Sequence, residues 1–263
     1  MLKKLLKYDL KYMLKNMSVF YILAIFFAIV TRIIFSLKQT IMVNIIGQIT
    51  LGCMFSMAAS TLFNTMIRSW VRFNDSIYKD EAYLTHTLPV TKNDIYNSKF
   101  IQTFIFFVVG FAFVLLSLFI TYYTKSRWIM VKEFVDTITT GLNMSTGLFI
   151  TGFMAVIFLE VFNAIQCGFL GLILGHKMKN NKIAYSISFG FIAYLVAQSL
   201  VLLLMYIVGL FEPSIMNLFE SNILLDTKSF KILIILSIIL YLIIIWLMSI
   251  ICKREFNKGV NIE

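Results

Sequence analysis

Six long apolar runs are spaced along the chain, near residues 18–37, 44–67, 100–123, 145–175, 184–210 and 230–251. Crossing a bilayer takes about 20 apolar residues, and each run is long enough. The fourth and fifth exceed that length, which predicts tilt or projection beyond the bilayer. Residues 1–17 show a different period. Leu2, Leu5, Leu6, Leu10, Met13, Leu14 and Met17 recur at three- and four-residue steps, with Lys4, Lys7, Lys11 and Lys15 opposite. That pattern predicts an amphipathic interfacial helix with its lysines towards anionic lipid. The run from Ser18 to Leu37 is too long for a signal-peptide core and no A-x-A-like site follows it, so it reads as an uncleaved first span.

The longest polar interruption is 80–99, DEAYLTHTLPVTKNDIYNSK. The second helix is expected to run past its apolar stretch, with Ile67, Trp70, Val71 and Phe73 on an apolar face and Arg68 and Arg72 on a polar one. Pro89, one of two prolines, disfavours helix at Leu88. Thr91 followed by Asp94 has the form of a helix start, which predicts a third long helix from about Lys92. Elsewhere, 127–140 suits a short interfacial helix. After the break at Phe211-Glu212-Pro213, the residues Ile215, Leu218, Phe219, Ile223 and Leu224 suit either a re-entrant element or a surface helix.

Composition supports the membrane reading. Of the 263 residues, 60% are apolar and 14% are charged, against about 25% charged in a soluble domain. The net charge of +10 lies in short connections between apolar runs, with no basic patch interleaved with aromatics, so no nucleic-acid partner is expected. It marks topology instead. Residues 1–17 carry five Lys and Arg, 68–99 five, 176–183 three and the C-terminal stretch three, or 16 of the 23. That excess predicts both termini and the 68–99 segment to be cytoplasmic. The richness in Ile, Lys, Asn and Phe suits an AT-rich bacterial genome. The expected fold is an all-α membrane protein with six transmembrane helices in a single domain over 1–263.

Candidate chemistry is sparse. Cys53, Cys167 and Cys252 form no C-x-x-C pair, and His86 and His176 stand alone in loops, so no metal site or disulfide framework is expected. No H-E-x-x-H, G-x-S-x-G or Walker loop occurs, so no enzyme activity is expected and any ATP hydrolysis belongs to a partner. Glu160 is the one acid deep in a span, a candidate functional residue. Asn163 and Gln166 lie on about the same side of its helix, and Arg32 near the end of the first span is a conceivable partner. The set suits a cargo path, or hydrogen bonds that hold helices together. Gly168, Gly171 and Gly175 predict close helix packing.

The run Tyr83-Leu84-Thr85-His86-Thr87-Leu88-Pro89-Val90-Thr91, with Asp94 to Lys99 after it, resembles the signature between spans two and three of six-span, single-domain ABC-exporter permeases, the ABC-2-type membrane transporter family. The N-terminal helix and six spans resemble that family too. The resemblance implies that 68–99 holds a cytoplasmic coupling helix between spans 2 and 3. Tyr83, Leu84, Thr85, His86, Leu88, Pro89, Val90 and Asp94 would dock an ABC ATPase. A second, smaller contact would fall on 175–183 with His176, Lys177 and Lys179. His86 departs from the family, which more usually has an apolar or aromatic residue there. The resemblance further implies a second copy or a related permease as partner, and ATP and Mg on the ATPase. The expected function is export of a peptide, drug-like or lipid-like substrate. The alternative is a non-transporting immunity or sensor protein that binds a peptide at its outer loops.

Overall fold

In the computed structural model, residues 2–38, 40–79, 81–123, 125–142, 144–211 and 227–259 are described, and among them there is no strand. The helices are α1 (Leu2–Ser36), α2 (Ile41–Ile77), α3 (Ala82–Thr87), α4 (Lys92–Tyr122), α5 (Lys125–Gly141), α6 (Thr146–Gly175), α7 (Lys182–Phe211) and α8 (Thr227–Asn257). Six of them, α1, α2, α4, α6, α7 and α8, are long and apolar enough to cross a membrane. They match the six runs of the sequence, each extended by several polar residues at one or both ends. The amphipathic stretch at 215–224 lies outside the described residues. The described residues group into two compact units, 2–129 and 130–259.

In the first unit α1 packs on both α2 and α4, and α2 packs on α4. The expected boundary between an interfacial helix and the first span is absent. Residues 2–36 contain no glycine or proline, so nothing interrupts the backbone ladder at Met17, and α1 runs unbroken for 35 residues. Its inner face steps through Asp9, Met13, Met17, Tyr21, Ala24, Ala28 and Thr31, all buried. Three- and four-residue steps keep that face on one side. Met13, Met17 and Tyr21 pack with Phe106 of α4, and Ala28 packs with Met54 and Ala58 of α2.

The inner stripe of α2 is small and polar: Ala58, Thr61, Thr65, Ser69 and Ser76 are buried. Small side chains let backbones approach, which substitutes for the hydrophobic driving force that lipid does not supply. Their hydroxyls do not go unmet. Thr61, Thr65, Ser69 and Ser76 each donate to the carbonyl four residues back, at 2.7–2.9 Å. The stripe is therefore self-satisfied, as apolar surroundings demand.

The second unit is built on closer contact. The helix α6 lies against α7 and α8. A Cβ on Gly171 would fall 2.4 Å from the Ser186 carbonyl oxygen and 2.5 Å from the Gly190 nitrogen. One on Gly175 would fall 2.4 Å from the Ser186 nitrogen. The atoms crowding Gly171 are all backbone, and at Gly175 Ser186 Oγ adds to two backbone atoms, so the predicted close approach is strict. The turn into α7 contains Asn181 at φ 48°, a left-handed conformation that asparagine tolerates. The helix expected at 127–140 is present as α5, and past its end Leu142 and Met144 pack with Ile234 of α8.

Two glycines therefore behave oppositely. Gly171→Ala is expected to lower the thermal midpoint in detergent, by an overpacking cost of about 1–3 kcal/mol or more. Gly52 in α2 has no neighbouring atom within 4 Å of its would-be Cβ, so Gly52→Ala is expected to be neutral or to stabilise by up to about 1 kcal/mol through helix propensity. Equal effects of the two would contradict the tight α6–α7 contact.

Candidate functional site

The polar interruption resolves into a short helix, an extended elbow and the start of a long helix. The helix α3 ends where Leu88 takes an extended ψ of 141°, the conformation that Pro89 imposes on its predecessor. The chain then turns, with Val90 N–H donating to the Leu88 carbonyl at 2.8 Å. Thr91 caps α4, its Oγ1 accepting from the Asp94 N–H at 3.1 Å, in line with the capping pattern of the sequence. Asp94 sits in the first turn, where the helix dipole favours an anion.

One side of α3 is fixed and the other is bare. Ala82 is fully buried, and the His86 Nε2–H donates to the Ile77 carbonyl at the end of α2, at 3.2 Å. His86 thus faces inward, and it satisfies one of the carbonyls a helix end leaves open. Tyr83 and Leu84 are 64% and 73% exposed, and Leu88 is exposed as well. Thr85 and Val90 are half-buried and Pro89 is exposed. Beneath the elbow, Phe73 meets Tyr78 and Tyr96, each at a ring distance of 6.4 Å. The end of α2 and the start of α4 are therefore packed as one base.

At the centre of that base lies a buried ionic cluster. Asp9 of α1 is 1% exposed. Its Oδ1 accepts from Arg72 Nε at 3.0 Å and from Lys99 Nζ at 2.6 Å. Its Oδ2 accepts from Ser98 Oγ at 3.0 Å. Arg72 Nη1 then reaches Glu81, immediately before α3, at 2.6 Å, and its guanidinium carbon stands 4.5 Å from the Tyr12 ring centroid. Two cations are thus balanced by two anions across α1, α2, α4 and the foot of α3. Arg72 was expected on an outer polar face of α2 with Arg68. It is buried instead, because Asp9 and Glu81 supply the acceptors its guanidinium needs.

The second expected contact is divided. His176 is buried: its Nδ1 lies 3.0 Å from the Leu172 carbonyl and 3.5 Å from Ser186 Oγ. It closes the end of α6 against α7 rather than presenting a surface. Lys177 pairs with Glu255 of α8 at 2.6 Å, and Lys179 is exposed.

The polar residues of α6 also separate. Asn163 and Gln166 are fully buried, and Gln166 Nε2 donates to Ser249 of α8 at 2.8 Å. That is helix packing. Glu160 is half-buried and accepts from the Tyr194 hydroxyl of α7 at 3.4 Å. Arg32 is exposed on α1 of the first unit, and Glu160 belongs to the second. Among the described residues, no group of three His, Cys, Asp or Glu is placed to hold a metal ion. A scan against protein-family models and searches of curated proteins and of solved structures found no match to this chain.

Asp9 is the residue that pattern reading passes over. Its signal was its phase: it stands four residues before Met13 and eight before Met17, on the apolar face of a lysine-rich helix. Asp9→Asn leaves Arg72 and Lys99 buried with one anion between them. The expected loss is about 3–5 kcal/mol, read as a fall in the unfolding midpoint. Replacing the buried triad together, as Asp9→Leu, Arg72→Met and Lys99→Met, is expected to recover most of it. A native-like midpoint in Asp9→Asn would contradict the cluster.

Proposed function

We propose that this chain is the membrane-spanning subunit of an ATP-driven exporter of the ABC-2 type, and that it docks a separate ATPase through α3. One observation carries the reading: a short helix and the residue after it expose Tyr83, Leu84 and Leu88, while the helix's other side is bonded to a membrane-length helix. The apolar run of α2 ends near residue 67, so its last ten residues extend about 15 Å further. Large exposed apolar side chains beyond the hydrocarbon have no lipid to cover them, and a protein partner is the natural cover.

The mechanics follow from the attachments. An ATPase that closes on ATP and Mg pushes on α3. The push passes through Glu81 and His86 into α2, and through Asp9 into α1 and α4. Tyr83, Leu84 and Leu88 are the contact; Thr85, Pro89 and Val90 shape it, and Asp94 fixes the start of α4. Lys179, exposed beside the Lys177–Glu255 pair, is a second point of attachment. The working unit is two such membrane chains, identical or related, with two ATPases, in a bacterial cell membrane with both termini in the cytoplasm. The cargo is a peptide, drug-like or lipid-like molecule.

The test is co-expression with an ATPase whose gene carries a Walker motif and neighbours this one. The native chain is expected to co-purify with it and to stimulate its ATP hydrolysis. Leu84→Asp should lose both while inserting into the membrane normally. Unchanged co-purification and stimulation in Leu84→Asp would overturn the docking claim.

A further inference from the structure

Glu160, Tyr194, Gln198 and Tyr241 form a polar belt at one level of the second unit. Glu160 lies at the midpoint of α6 (Thr146–Gly175), Tyr194 and Gln198 flank the midpoint of α7 (Lys182–Phe211), and Tyr241 is next to the midpoint of α8 (Thr227–Asn257). At 1.5 Å per residue each stands about 20 Å from either end of its helix. The Tyr194 hydroxyl donates to Glu160 Oε1 at 3.4 Å, and the Tyr241 hydroxyl donates to Gln198 Oε1 at 3.3 Å. The Gln198 Nε2 is buried and has no partner among the described residues.

The charge of this belt is unbalanced. No Lys or Arg occurs within 146–175, 183–211 or 232–251, and Glu160 is the one acid in those three stretches. Among the described residues, Glu160 therefore stands at mid-height with one long hydrogen bond and no cation paired to it. Contrast Asp9, which gathers two cations and a serine hydroxyl. Intramembrane acids of this kind mark sites where a cation or a proton is handled. The neighbouring groups favour a cation that can donate. A primary ammonium has three N–H donors for the second Glu160 oxygen and the tyrosine oxygens. The idle Gln198 N–H can serve a carbonyl or hydroxyl beside that ammonium.

We propose that Glu160, with Tyr194, Gln198 and Tyr241, is the recognition point for a primary ammonium group on an amphipathic cargo. This deepens the export reading and rests on it: the cargo is cationic rather than anionic. Mid-height placement selects cargo over lipid headgroups, which lie at the ends of these helices. Gln166 bonds α6 to Ser249 of α8 and does not take part.

The probe is monodansylcadaverine, a fluorescent primary amine, compared with its N-acetyl derivative, which differs in lacking the charge. Both are titrated against the full chain in nanodiscs of zwitterionic phosphatidylcholine. The native chain is expected to bind the amine saturably and roughly tenfold or more tighter than the acetylated form, a difference typical of one charge-assisted contact. Glu160→Gln, nearly the same shape, should bring the two within about twofold. Tyr194→Phe with Gln198→Leu should shrink the preference as well, and serves if Glu160→Gln fails to insert. A native chain without saturable amine binding or without preference overturns the proposal, as does a Glu160→Gln chain that keeps it. No ATPase is present in this assay. Amine binding that fails while Leu84-dependent coupling holds removes this inference alone. Coupling that fails while the amine still binds removes the docking reading alone.

Discussion

The first unit depends on one carboxylate. Asp9 is buried near the start of α1 and is met by Arg72 from α2 and by Ser98 and Lys99 from α4. A buried ion pair adds little net stability relative to well-packed apolar groups, since desolvation offsets most of the attraction. What it adds is position. The three helices must stand in one register for a single carboxylate to receive four donors at 2.6–3.0 Å. Any slip leaves charges buried without partners, at several kcal/mol each. Arg72 passes that constraint on to Glu81, and so to the foot of α3. The short helix α3, with Tyr83 and Leu84 exposed, is thereby tied to a buried ionic contact.

The second unit solves the same packing problem with glycine rather than with a buried ion pair. Gly171 and Gly175 let Ser186 and Gly190 approach until backbone meets backbone, and dispersion over that contact replaces a hydrophobic drive that lipid does not provide. Polar side chains then enter in two ways. Gln166 is fully buried and bonds across to Ser249 through its Nε2. Glu160 stays half-buried with one long bond.

Much of this was legible in the chain. The six apolar runs, the stop at Leu88 before Pro89, the Thr91 cap and the close packing at Gly171 and Gly175 follow from local rules: length, backbone sterics and side-chain size. The misses share a cause, which is that they depend on a partner distant in sequence. Arg72 looks like a surface residue until Asp9, 63 positions earlier, is placed beside it. His176 looks like a loop residue until Ser186 turns back onto it. The boundary expected after residue 17 came from a change in composition, from lysine-studded to apolar. The backbone does not respond to composition as such, and without glycine or proline the helix continues.

The central claim is that Asp9 holds α3 in place from within. Amide hydrogen exchange on the full chain in nanodiscs, native against Asp9→Asn, tests it most directly. Exchange at Ala82–Thr87 and in the first turn of α4 should accelerate in Asp9→Asn, while α6 and α7 keep their native protection. Native exchange throughout Ala82–Thr87 in that variant would contradict the claim.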